Sequence, residues 1–287
     1  NIEYIKSLGT NGAGCSWGMG EFWSLSINER KNLMSIVKDQ AKDWPVAAHI
    51  SHTSLNDIFE LMDHAKELNY ELLIIGAPYF ATRKPGQVIE FVKYISRHTE
   101  LAIMYYNSPQ FGTVLNANDL NSIVDIENVV GVKEASFNKE ISISSHLKLG
   151  TKAIISTPDE WIFWEGDVHG FQQQVMFANT SDWRFDTPDN NSYVKFIDKA
   201  TKGIIDNNLY ENEIRKIKNI SDSWWGKTVT DAGGVLPVAL CKYWGELVGM
   251  SSGGPRLPVI DLSDDNKKEL KAELIDLGKL NISLEVN

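Results

Sequence analysis

The stretch Gly131-Val132-Lys133-Glu134-Ala135-Ser136 places a lysine directly behind the apolar run Asn128-Val129-Val130-Gly131-Val132. Burial at the end of an apolar strand disfavours an ammonium ion and lowers its pKa, and a neutral amine is a nucleophile. A lysine whose stem packs on the core while its head reaches solvent is the alternative reading. The surrounding chain has to decide between the two.

On either side of Lys133, short apolar runs alternate with amphipathic stretches, the pattern of repeated β-α units and a parallel sheet. Strands are expected near Asn11–Ser16, Val46–His49, Leu72–Gly76, Ala102–Tyr106, Val129–Lys133, Ala153–Ser156 and Gln173–Ala178. Helices are expected at Ile27–Asp43 behind Ser26, Ser54–Leu68, Gly86–His98, Ala117–Val124 and Ile141–Leu147. The repeat length predicts an α/β fold of the (β/α)8 TIM-barrel type, with an open doubly wound sheet as competitor. One strand is short of that count, and Asn1-Ile2-Glu3-Tyr4-Ile5 reads as the middle of a helix. A first strand, within roughly 20 to 30 residues before Asn1, is therefore expected, because an unclosed barrel exposes two edges. Beyond Asn190 the pattern turns helical, at Val194–Asn207, Tyr210–Trp225, Leu236–Val248 and Asp264–Leu277. The expected division is a barrel over residues 1–190 and a helical region over 191–287.

Composition narrows the partners. The 287 residues are 43% hydrophobic, enough for a large core, and a net charge of -10 repels nucleic-acid phosphates and anionic membranes. No run reaches the roughly 18 apolar residues of a membrane span, and cytoplasmic residence is the expectation. Cys15 and Cys241 show no redox or metal spacing and read as structural thiols, and the six histidines show no ligand spacing. A small organic substrate, with no metal or external cofactor, is expected.

Five motifs together resemble the dihydrodipicolinate synthase / N-acetylneuraminate lyase family of pyruvate-type Schiff-base barrels. They are Gly18-Met19-Gly20-Glu21 with the following Leu25-Ser26, Ala77-Pro78-Tyr79-Phe80, Tyr106-Asn107-Ser108-Pro109, Gly131–Ser136, and Gly253-Gly254-Pro255-Arg256-Leu257-Pro258. The resemblance implies that Lys133 forms an imine with a 2-oxo acid such as pyruvate and that Tyr106 moves the proton above it. A protonated imine is an electron sink, so no other cofactor is required, and each step needs an acid or base close by. The resemblance also implies a homotetramer, with Tyr79 matching a loop tyrosine that reaches a neighbouring subunit. Tyr79 also reads as a packing residue, and Glu21 and Tyr105 read as structural.

The main departure is at Gly18 and Met19, where the family carries two hydroxyl residues. Their N–H groups remain available to a substrate carboxylate, but the hydroxyl relay of dihydrodipicolinate synthase is lost, which argues against that activity. Asp159 and Glu160 resemble the pair that sugar-acid lyases use to hold hydroxyls, and read equally as the acidic first turn of a helix. In Phe171-Gln172-Gln173-Gln174, alternation puts Gln172 and Gln174 on one face and Gln173 on the other, with one set expected in the pocket. Trp17, Phe22, Trp23, Trp161, Trp164, Trp183 and Phe185 crowd the same loops; at least four are expected to be packing residues and the others to shape the pocket. Three readings follow: an aldolase that makes or breaks a C–C bond of a 2-oxo acid, with an aldehyde as the other half; a dehydratase or hydratase-aldolase using the same imine; and a non-catalytic ligand-binding barrel.

Overall fold

In the computed structural model, residues 1–178, 185–278 and 280 are described. Helix α1 (Ile2–Ser7) leads into a single sheet of six parallel strands in sequence order: β1 (Ala13–Cys15), β2 (Val46–His49), β3 (Leu72–Gly76), β4 (Ala102–Asn107), β5 (Val129–Glu134) and β6 (Ile154–Ser156). Between them lie α2 (Ile27–Ala41), α3 (Leu55–Glu67), α4 (Pro85–Ser96), α5 (Ala117–Val124) and α6 (Lys139–Leu149), with α7 (Trp161–His169) after β6. The result is a half-barrel of β-α units. β2 is buried at every residue and β3 at all but its first, as expected of strands covered on both faces.

The helix starts follow their caps. Ser26 and Glu29 form a capping box on α2, and Ser54, Asn116 and Asn138 cap α3, α5 and α6 through their side chains. Helix α2 stops at Ala41 rather than Asp43 because Lys42 adopts a positive φ of 56°.

Two expectations need correction. Among the described residues the strand count is six where seven were expected, because Gln173–Ala178 forms no strand. Beside β6, side chains make the bonds a ladder would make. The Gln173 amide, 2% exposed, accepts from Thr157 N–H (2.6 Å) and donates to Thr157 C=O (3.1 Å), while Phe177 N–H donates to Ser156 Oγ (2.8 Å). The helical part comprises α8 (Ser192–Ala200), α9 (Asn207–Leu209), a π-helical turn (Tyr210–Ile214), α10 (Arg215–Asp231), α11 (Val238–Leu247) and α12 (Asp264–Asp276). The expected helix Val194–Asn207 is broken at Gly203, whose φ is +82°. Ile162 and Phe163 of α7 join a second core with Phe196, Trp224, Trp244 and Leu274 of these helices, apart from the core under the sheet.

Candidate active site

Strand register brings the two expected catalytic side chains together. Tyr106 of β4 pairs with Lys133 of β5, which pairs in turn with Ser156 of β6. Lys133 is 6% and Tyr106 8% exposed, and Lys133 Nζ lies 4.9 Å from the Tyr106 ring centroid. Both sit at the carboxyl ends of their strands, the end where barrel enzymes assemble their sites. Burial pushes the Tyr106 hydroxyl up to about 12, partly opposed by a hydrogen bond with the Ser108 side chain. Tyr105, one residue earlier, is fully buried on the opposite face of the strand, as alternation requires.

Glu134 and Asn107, beside the pair, hold the scaffold. Asn107 clamps the following loop through Leu115, donating to its C=O and accepting from its N–H at 2.9 Å each. The buried Glu134 carboxylate accepts from Ser136 N–H (3.0 Å), Asn107 Nδ2 (3.3 Å) and the Ser142 hydroxyl; burial raises its pKa, opposed by these bonds.

Gly18 and Met19 begin a 3₁₀ turn whose own bonds use the N–H groups of Gly20 and Glu21. Gly18 faces Tyr106: a Cβ there would stand 4.0 Å from the Tyr106 hydroxyl and 2.8 Å from Leu236 Cδ1. Glu21, in the left-handed region at φ 54°, accepts from Arg256 N–H (2.9 Å) and pairs with Lys242, while Arg256 also reaches Ser24 C=O and Glu29. The Gly253–Pro258 motif thus pins the turn. Tyr79 is half-buried and packs edge-on against Phe22.

The remaining expected contacts lie elsewhere. Glu160 is 2% exposed and turned into the second core, accepting from Tyr210 (2.8 Å) and Tyr193 (3.2 Å), with Lys218 Nζ 3.7 Å away. Asp159, half-buried, lies 3.8 Å from the same ammonium; burial and the Glu160 charge push it up to about 7. Gln172 and Gln174 are exposed, and Gln172 donates to Thr201 C=O at 2.9 Å. The buried glutamine is Gln173. Its polar groups are taken by Thr157 because the segment lacks a ladder, so the pocket placement of Gln172 and Gln174 is corrected. Trp164 and Phe185 pack among Phe196, Tyr210, Tyr193 and Trp244, Trp161 lies under Lys139, and Trp23 is 37% exposed. Trp183 lies outside the described residues.

Trp17 is one of the aromatics expected at these loops, whereas Phe111 and His49 at the site escape sequence reasoning. The Trp17 indole lies over Lys133 Nζ at 4.4 Å and packs on Tyr106 (5.7 Å) and Phe177 (5.1 Å). Phe111 packs edge-on against Tyr106 at 5.2 Å, and a Cβ at Gly76 would meet its ring at 2.6 Å. His49, at the end of β2, is fully buried, 4.6 Å from the Phe22 ring. An isolated histidine on an apolar strand was the available signal. Cys15 is inert by contrast, its thiol pushed up to about 12 by burial.

Six parallel strands, with a buried lysine and tyrosine paired at their carboxyl ends, define a β/α half-barrel protein with an amine-centred site. The profile of the dihydrodipicolinate synthetase family matches residues 1–178, and the chain belongs to that family. It is 30% identical over 167 residues to 4-hydroxy-tetrahydrodipicolinate synthase of Thermosipho melanesiensis, covering 56% of this chain and 54% of that relative. The chain thus spans about half the length of that relative. Over 281 residues it is 25% identical to the same-named protein of Methanosarcina mazei, covering 97% and 90% of the two chains. The fold matches a crystal structure of dihydrodipicolinate synthase from Acinetobacter baumannii complexed with pyruvate, with a TM-score of 0.76, 21% identity, and coverage of 97% and 91%.

Proposed function

We propose that the chain is a Schiff-base-forming lyase of the aldolase type, making or breaking a C–C bond of pyruvate or a related 2-oxo acid through an imine on Lys133. The observation that carries this reading is the register pairing of buried Lys133 with Tyr106 at the strand ends. The amine adds to the C2 carbonyl, water leaves, and the iminium takes up the electron pair released when the bond at C3 breaks. Tyr106 donates a proton in that sequence, and the N–H groups of Gly18 and Met19 receive the substrate carboxylate. Dehydration of a 2-oxo acid through the same imine is the second reading. It is supported by the aromatic wall of Trp17, Phe111 and Phe177, which favours an apolar or unsaturated partner over a polyhydroxylated chain. The proposal extends to a catalytic barrel region over residues 1–190, a helical region over 191–287, a homotetramer, an aldehyde as second substrate and a cytoplasmic site of action. Among the described residues no helix is long and apolar enough to cross a membrane.

Borohydride reduction in the presence of pyruvate tests the imine. The expected result is a mass addition mapped to Lys133 and lost in Lys133→Ala. A folded wild-type protein that gains no mass would point instead to a ligand-binding barrel.

A further inference from the structure

The room that a side chain on Gly18 would need is taken by a residue of the helical region. A Cβ on Gly18 would meet Leu236 Cδ1 at 2.8 Å and the Tyr106 hydroxyl at 4.0 Å, so the leucine methyl and the phenol face one and the same point. Leu236 is 7% exposed. The chain reaches it from the end of α10 through Gly233 and Gly234, whose φ values of +67° and +92° suit glycine alone. The Gln110 side chain donates to the Gly234 carbonyl (3.4 Å), and Val238 N–H donates to the Leu236 carbonyl (2.8 Å). The segment is thus pinned between the turn after β4 and the start of α11.

Leu236 completes an apolar surround of the phenol. Its other members are Phe111, 5.2 Å from the Tyr106 ring, and Trp17, 5.7 Å from it. When the enamine of pyruvate attacks an aldehyde, the new alkoxide has to lie beside the proton donor, Tyr106. The substituent on the same aldehyde carbon then has to lie against what surrounds that donor. A hydroxyl placed against a leucine methyl and two aromatic rings gives up its water for no partner, whereas a methylene there gains by leaving water.

We propose that Leu236 is a specificity-determining residue of the site and that the second substrate is an aldehyde with an apolar chain, an inference that rests on the imine reading above. C3 of the Lys133-bound enamine forms the new bond to the aldehyde carbon, and the aldehyde oxygen takes a proton from Tyr106. Water then releases a 4-hydroxy-2-oxo acid from the amine, matching the water lost when the imine formed. The proton that C3 gave up on becoming an enamine balances the one on the new hydroxyl, so pyruvate and the aldehyde are the only reactants consumed.

The test sets butanal against glyceraldehyde in competition for pyruvate, with the two 4-hydroxy-2-oxo acids measured by mass spectrometry and borohydride trapping of pyruvate on Lys133 followed in parallel. Wild type is expected to favour butanal. Leu236→Ala removes the isopropyl group beside the phenol and is expected to lower the butanal-to-glyceraldehyde ratio by about tenfold or more, the scale on which an apolar pocket senses a methylene, with trapping unchanged. Leu236→Val, shorter by one methylene and milder to the fold, is expected to give an intermediate ratio. A wild type that favours glyceraldehyde overturns the proposal. So does an unchanged ratio in the folded variants, which marks Leu236 as a packing residue. A wild type that traps pyruvate but condenses neither aldehyde overturns it and leaves the imine standing. A wild type that does not trap removes the imine reading and this inference with it.

Discussion

The Trp17 indole is lodged over Lys133 because Gly14 has no side chain, and Gly14→Ala dislodges it. A Cβ on Gly14 would stand 2.0 Å from Trp17 Nε1, 2.1 Å from Cε2 and 2.5 Å from Cζ2, and Gly14 lies outside the left-handed region, so the backbone accepts alanine while the ring must move. The indole then loses its contacts with Tyr106 and Phe177, worth about 0.5–1.5 kcal/mol each, and that with Lys133, worth about 1 kcal/mol. The lower entropy of the unfolded alanine chain offsets about 0.5–1 kcal/mol, leaving a net loss of about 2 kcal/mol. At about 2–4 °C per kcal/mol for large domains, Tm falls by about 4–8 °C in scanning calorimetry. An oxo acid approaching Nζ has to displace the same ring. With the ring already displaced, reductive trapping of low-concentration pyruvate rises about tenfold or more, since 1.4 kcal/mol is a factor of ten. Unchanged Tm and unchanged trapping would refute the placement of the indole.

Tyr106→Phe leaves the pyruvate adduct formable and slows steady-state turnover by about 10²-fold or more; turnover at the wild-type rate would show that the proton travels by another route. Gln173→Leu leaves Thr157 N–H and C=O unpaired beside β6 and costs about 2–4 kcal/mol, read as a lower urea midpoint; an unchanged midpoint would mean that the amide does not hold this segment. Asp159 has a folded pKa raised from 3.8 to about 7, so the folded state holds its proton more tightly than the unfolded state does. The stability this proton contributes is complete below pH 3.8 and lost as pH rises through about 7. Asp159→Asn should therefore show a shallower fall in stability between those limits, and an identical pH slope would dismiss the raised pKa.

Residues with local signals were legible. Ser26 announced α2, and Val129–Lys133 announced a strand ending in a charge, because caps and apolar runs act over a few residues. Gln173 was legible only by half. Alternation separated it correctly from Gln172 and Gln174, but which face was buried depended on Thr157, 16 residues away, offering an unpaired N–H and C=O. Glu160 shows the same limit: an acidic first turn is readable, whereas its burial against Tyr193 and Tyr210 depends on helices 33 and 50 residues downstream.

By itself, the sequence determined the order of β-α units, since strand periodicity is a local property, and its resemblance to the family singled out Lys133, Tyr106 and the altered Gly18-Met19 turn. Tertiary structure alone decided what surrounds the amine. Trp17, His49, Phe111 and Phe177 come from separate β-α units and converge because the curved sheet aims its strand ends at one axis. The space that Gly14 leaves for an indole exists only once those ends have met.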